Sequence, residues 1–135
     1  MMKLLIKYLL ILPFSGLLAQ SIPLFETDLR MRVVEDDLLY VVVQIENNAG
    51  RTITELEGYL TEVDPSLNIV SERKVVHLHP YEAPFGPNQT IIRGLTYTFD
   101  RTLDYRYRYH ISKIRFTNDE RVFMYSPTEG LVRVD

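Results

Sequence analysis

The sequence predicts an all-β chain, an immunoglobulin-like antiparallel β-sandwich of about seven strands. Three observations carry this expectation. Hydrophobic alternation at period two runs through most of the chain, and no window holds a convincing helical period. Clusters of Asn, Asp, Gly and Pro recur at spacings of about 8–12 residues, the rhythm of a sandwich or, as runner-up, of a partly closed barrel. Strands do not alternate with helices, which argues against a parallel α/β sheet.

The fold is expected to start after residue 19. Lys3 and Lys7 precede an apolar run from Tyr8 to Phe14 and small residues ending in Ala19, the order of a secretory signal peptide cut after Ala19. Pro13, Ser15, Gly16 and Gln20 interrupt the run, which makes it a poor membrane anchor, since a span needs about 20 apolar residues. No Cys follows it to carry a lipid. Residues 1–19 thus read as a signal peptide and 20–135 as a single β-sandwich domain, secreted or periplasmic, with no stable membrane span after cleavage. The mature chain has 116 residues, and its 13 basic and 18 acidic residues give a formal charge of −5. Without a basic excess there is no electrostatic case for nucleic acid. Without cysteine there are no disulfides, thiolate metal sites or Cys nucleophiles, so the core alone must hold an exported domain together.

The first strand is Asp28–Val34, where Leu29, Met31 and Val33 alternate with Asp28, Arg30 and Arg32. Glu35, Asp36 and Asp37 form a tight acidic turn. In Leu38–Glu46, Leu39, Val41, Val43 and Ile45 share one face, while Leu38, Tyr40 and Val42 make the other face apolar too. A strand covered on both sides is central in its sheet. Asn47–Gly50 is a turn, because Asn and Gly tolerate positive φ. Ile53–Val63 is the third strand, and Gly58 within it marks a bulge or a close backbone approach. A short amphipathic helix is the rival reading there, from Glu55, Leu56, Glu57 and Leu60, but Gly58 and the threonines oppose it. Asp64–Asn68 turns the chain into the fourth strand, Ile69–Leu78.

His79–Asn88 holds three prolines and a glycine, which forbid regular structure and leave a surface loop. In Gln89–Phe99, Ile91, Leu95, Tyr97 and Phe99 alternate with threonines. In Tyr105–Thr117, Tyr105, Tyr107, Tyr109 and Ile111 share a face before the apolar register moves to Ile114 and Phe116. That one-residue slip predicts a β-bulge near Ser112 and Lys113. Asn118–Glu120 turns into the short last strand Arg121–Tyr125. The tail from Ser126 either extends over Leu131–Val134 or frays.

The run Tyr40–Ile53, an apolar strand entering the turn Asn47-Asn48-Ala49-Gly50, resembles the opening of FxLYD-type domains and related immunoglobulin-like modules of exported bacterial proteins. Leu60–Val70 resembles the next element of that family, a strand ending in Asp, a turn and a β-branched restart. The chain departs from the pattern at Glu62-Val63, where an aromatic usually precedes the Asp, and at Leu67-Asn68, where a Gly is common. The resemblance spans Leu39 to Phe99. It implies a small sandwich in the cell envelope without catalytic residues, and it transfers no functional positions.

Candidate chemistry is sparse. His77 and His79, two apart on a strand, point to one side and could share a zinc ion with His110 from another strand. Alternatively, the pair decorates the solvent end of a strand. On Tyr105–His110 the tyrosines take one face and Arg106, Arg108 and His110 the other. This is an aromatic platform or an arginine row for anionic glycans or phosphates. The plainer reading has tyrosines over the core and arginines paired with cross-strand acids. In the proline-rich loop, Tyr81 and Phe85 sit on a segment stiffened by Pro80, Pro84 and Pro87, an arrangement that loses little entropy on binding. The other reading has Phe85 plug one end of the sandwich, so both roles stay open for it.

No Gly-x-Ser-x-Gly elbow, phosphate loop or calcium loop is present, and Asp36-Asp37 and Asp119-Glu120 lie in turns where acids are solvated. The expectation is a non-catalytic exported module, without a cofactor, contacting an envelope protein or glycan through Tyr81, Phe85, Arg106 and Arg108. The alternatives are an assembly subunit pairing through the last strand or Asp28–Val34, and a metal-binding protein using His77, His79 and His110.

Overall fold

The computed structural model of the protein describes residues 22–135, and the expected signal peptide, residues 1–19, lies outside them. Among the described residues there is no helix, and eight strands form: β1 (Phe25–Glu35), β2 (Leu38–Asn47), β3 (Ile53–Val63), β4 (Ile69–Leu78), β5 (Thr90–Thr98), β6 (Arg106–Phe116), β7 (Phe123–Ser126) and β8 (Gly130–Arg133). No helix there is long and apolar enough to cross a membrane. All pairings are antiparallel, in a three-stranded sheet β1-β2-β5 and a five-stranded sheet β4-β3-β6-β7-β8. The chain is thus an all-β sandwich with one strand more than expected, because the tail pairs with β7 as β8. Its order differs from the constant-type immunoglobulin sandwich in the fourth strand, which pairs with the third instead of the fifth.

Local sequence explains most of these elements. The two-sided apolar run of β2 does lie centrally in its sheet, with β1 and β5 on its flanks. Its inward residues Val41, Val43 and Ile45 are fully buried in one core with Leu56, Leu60, Ile111, Ile114 and Phe116 of the other sheet. Asn47 ends β2 inside the protein. Its side chain donates to the Arg51 carbonyl at 2.8 Å and the Gly86 carbonyl at 3.2 Å, and accepts from the Ala49 amide at 3.0 Å. One buried amide thereby ties the β2–β3 turn to the proline-rich loop, and Phe85 of that loop pairs its backbone with Ile53 at 2.8 and 2.9 Å.

Two of the bulges that face β3 do so from opposite sides near its middle. On β6, Lys113 pairs with Glu57 and Ile111 with Gly58, leaving Ser112 as the extra residue that the register slip predicted. On β4, Leu78 pairs with Leu56 and Val76 with Glu57, which makes His77 the extra residue there. Gly58 sits between them, and a Cβ at this position would collide with the Tyr109 hydroxyl and the His110 carbonyl. The close backbone approach requires glycine.

Candidate functional site

Following the alternation of β3 along its inward face, Leu56, Gly58 and Leu60 lead to Glu62. An inward position near the end of a sandwich strand normally carries an apolar side chain, yet this residue is a carboxylate only 7% exposed. Neighbouring strands supply its partners. Ser71 on β4 donates to Glu62 Oε1 at 3.1 Å, and Tyr107 on β6 donates to Oε2 at 2.6 Å. Their registers require this, since Ser71 and Tyr107 are the residues opposite Glu62 on its two sides.

Arg73, the next inward position of β4, reaches across to the other sheet. Its Nη1 donates to the Thr96 carbonyl at 2.6 Å, and its guanidinium lies over the Tyr97 ring at 4.7 Å. The Tyr97 ring in turn packs against Tyr107, centroids 4.9 Å apart, while its buried hydroxyl has no hydrogen-bond partner among the described residues. Around these groups the two sheets separate into a cleft of about 440 Å³, with Asp100, Leu103 and Tyr105 at its lip.

The electrostatics keep the Tyr97 and Tyr107 hydroxyls protonated. Burial and then the Glu62 carboxylate push the Tyr107 hydroxyl well above the ordinary tyrosine value, and burial raises Tyr97 despite the opposing Arg73. The cleft therefore combines a positioned carboxylate, a guanidinium, tyrosine O–H groups and ring faces. That mixture suits a ligand carrying hydroxyl groups on an apolar frame.

The residues singled out from sequence lie elsewhere. His77 is fully buried between the sheets, its Nε2 3.1 Å from the Val43 carbonyl and its Nδ1 3.3 Å from the Tyr109 hydroxyl. A carbonyl only accepts, so Nε2 carries the proton and Nδ1 accepts from Tyr109. Burial lowers its pKa to about 4, and Arg93 acts in the same direction. His79 follows the end of β4 and stacks on Tyr81 at 4.9 Å, whereas His110 stacks on Tyr59 at 5.8 Å on the outward face of β6. The three histidines therefore do not converge, and among the described residues no three metal-ligating side chains do. Alternation alone separates His110 from its inward neighbours Tyr109 and Ile111, and it places His77 on the inward parity of Arg73 and Val75.

Phe85 is 4% exposed and belongs to the core, so of its two roles the structure selects the plug. Tyr81 is 82% exposed. Arg106 and Arg108 are exposed opposite Val63 and Thr61 of β3, and neither forms an ion pair among the described residues. The plainer reading of cross-strand acids fails at these two positions. It holds further along the same face, where Glu55 meets Lys113 and Arg115 at 3.0 and 3.2 Å and Glu57 meets Lys74 at 3.3 Å. Tyr107 and Tyr109 pack against the core.

Sequence reasoning missed Glu62, Ser71, Arg73 and Tyr97 as a group. One signal was available: Glu62 shares the parity of Leu56 and Leu60, which places a carboxylate on the apolar face of a strand.

No family model and no curated protein matches the chain. A solved structure, Northeast Structural Genomics Consortium target SoR45, aligns at a TM-score of 0.32 and 12% identity over 68% of this chain and 81% of that one, a likeness too low to carry any argument.

Proposed function

We propose that the protein is a non-catalytic, exported β-sandwich module of the bacterial envelope that binds a glycan in the cleft around Glu62, Arg73 and Tyr97. The observation that carries this reading is the buried carboxylate. Desolvating it is costly, and a well-packed apolar residue would serve stability as well or better. Its place at the floor of an open cleft, beside tyrosine rings and a guanidinium, accounts for it as a ligand acceptor.

Both Glu62 oxygens already accept hydrogen bonds, and no imidazole or second carboxylate is among their partners, which favours binding over catalysis. The resemblance of the central half to FxLYD-type modules implies a sandwich without catalytic residues, which is compatible with this reading. Export rests on the order of charges and apolar residues in positions 1–19.

An array of bacterial envelope oligosaccharides, followed by NMR titration of the best binder, tests the reading. The expected result is shifts centred on Tyr97, Tyr105 and Tyr107, with affinity falling roughly tenfold or more in Glu62→Gln and Arg73→Gln, since hydrogen bonds to charged groups contribute about 1.5–3 kcal/mol. An array without binders, or a binder unaffected by both substitutions, would overturn it.

A further inference from the structure

Beside the cleft-end half of β6 the five-stranded sheet is one strand short. β7 pairs with β6 only at Ile114↔Phe123 and ends at Ser126, where a turn over residues 127–129 sends the chain back as β8. Among the described residues, Arg106–Ile111 are paired with β3 on one side and with no strand on the other. Across the sandwich, Phe25 and Thr27 of β1 line a small hollow at this edge with Tyr109–Ile111 and with Tyr125 and Pro127. The register of β1 puts Met31 and Val33 on the face of Val41 and Leu39, which are core residues. Near the start of β1, Phe25 is covered by the Tyr125 ring at 5.2 Å, but Met31 and Val33 remain 53% and 44% exposed.

The charges at this edge are equally uncompensated. Arg106 and Arg108 lie on the outward face, flanked on β3 by Val63 and Thr61, and among the described residues they pair with no acid, in a chain whose acids outnumber its bases. The other strongly charged part of that face, around Glu55 and Glu57, is internally paired.

The geometry points to a strand-addition site: an extended segment of a partner protein, with apolar residues at alternate positions and Asp or Glu between them, pairs with β6 along Arg106–Ile111. Successive residues of such a strand face opposite ways. Its apolar residues would cover Met31 and Val33, and its acids would lie beside Arg106 and Arg108 at the roughly 5 Å spacing of cross-strand neighbours. At about 3.3 Å per residue, five or six residues fill the edge. The site is independent of the cleft reading. Two other accounts compete with it: arginines that only guard an edge against pairing, and pairing between two copies of this chain.

Two ten-residue peptides, one alternating Val with Glu and one Val with Lys, are titrated at low salt into the ¹⁵N-labelled full chain. The expected result is slowed hydrogen exchange at the Arg106–Ile111 amides and at least tenfold tighter binding of the Glu peptide. The double variant Arg106→Glu/Arg108→Glu, changed only at exposed positions, should reverse the preference. Val33→Lys should weaken both peptides, and Arg73→Gln should change neither. Equal affinity for the two peptides, an unreversed preference, no β6 protection, or protection that grows with protein concentration without peptide would each overturn the proposal.

Discussion

Acidifying the protein from pH 7 to pH 5 should lower its stability by about 2 kcal/mol through His77 alone. The imidazole is buried and donates its Nε2 proton to the Val43 carbonyl, and its pKa is lowered from 6.5 to about 4. Well above pH 6.5 the ring is neutral in both folded and unfolded chains, and it contributes no pH dependence there. Below that value the unfolded chain takes up a proton that the folded chain refuses until about pH 4. Stability therefore falls as pH falls, by about 1.4 kcal/mol per unit, reaching a loss of roughly 3 kcal/mol near pH 4. Carboxylates whose pKa is lowered in the fold, Glu82, Asp100, Asp119 and Asp135, start from ordinary values of 4.5, 3.8, 3.8 and 3.8 and add their own loss mostly below this window.

The assay is urea denaturation at pH 7, 6 and 5 for the wild type and for His77→Gln, which keeps a donor and an acceptor but does not titrate. At a slope of about 1–2 kcal/mol per molar urea, the wild-type midpoint should drop by about 1–2 M by pH 5. The variant should begin lower and lose much less. Equal pH slopes in the two proteins would refute the assignment of a buried neutral His77.

Three further outcomes follow from the packing. Gly58→Ala drives a methyl into the Tyr109 hydroxyl and the His110 carbonyl, and urea titration should show a loss of about 1–3 kcal/mol. Asn47→Ala removes the buried amide that joins Arg51 to Gly86, and should cost about 2 kcal/mol while speeding hydrogen exchange at the Ile53 and Phe85 amides. Excess Zn²⁺ should leave the thermal midpoint unchanged, because His77, His79 and His110 point to different places; a metal-dependent rise lost in His79→Ala would contradict this.

Strand identity in this chain is a local property. Period-two alternation, turn residues and a proline-rich interruption act over a few neighbours, so all of β1 to β7, the central place of β2 and the Ser112 bulge were legible in the sequence. The slip from Ile111 to Ile114 is visible because polar residues separate the two apolar registers. The bulge at His77 leaves no such trace, since Val75 and His77 on one parity and Val76 and Leu78 on the other are all suited to burial. The Glu62 cluster was legible only in part: parity marks the carboxylate as inward, but its partners come from β4 and β6, nine and forty-five residues away.

By itself the sequence determined the fold class, the strand positions and the alternation of inward and outward faces, because these depend on residues close together along the chain. Only the tertiary structure decided that Phe85 is core, that the histidines part company, that Arg106 and Arg108 lack acids, and that a carboxylate closes the floor of a cleft. Each of those depends on cross-strand register and on where one sheet stops covering the other, and both are set by contacts between residues far apart in the chain.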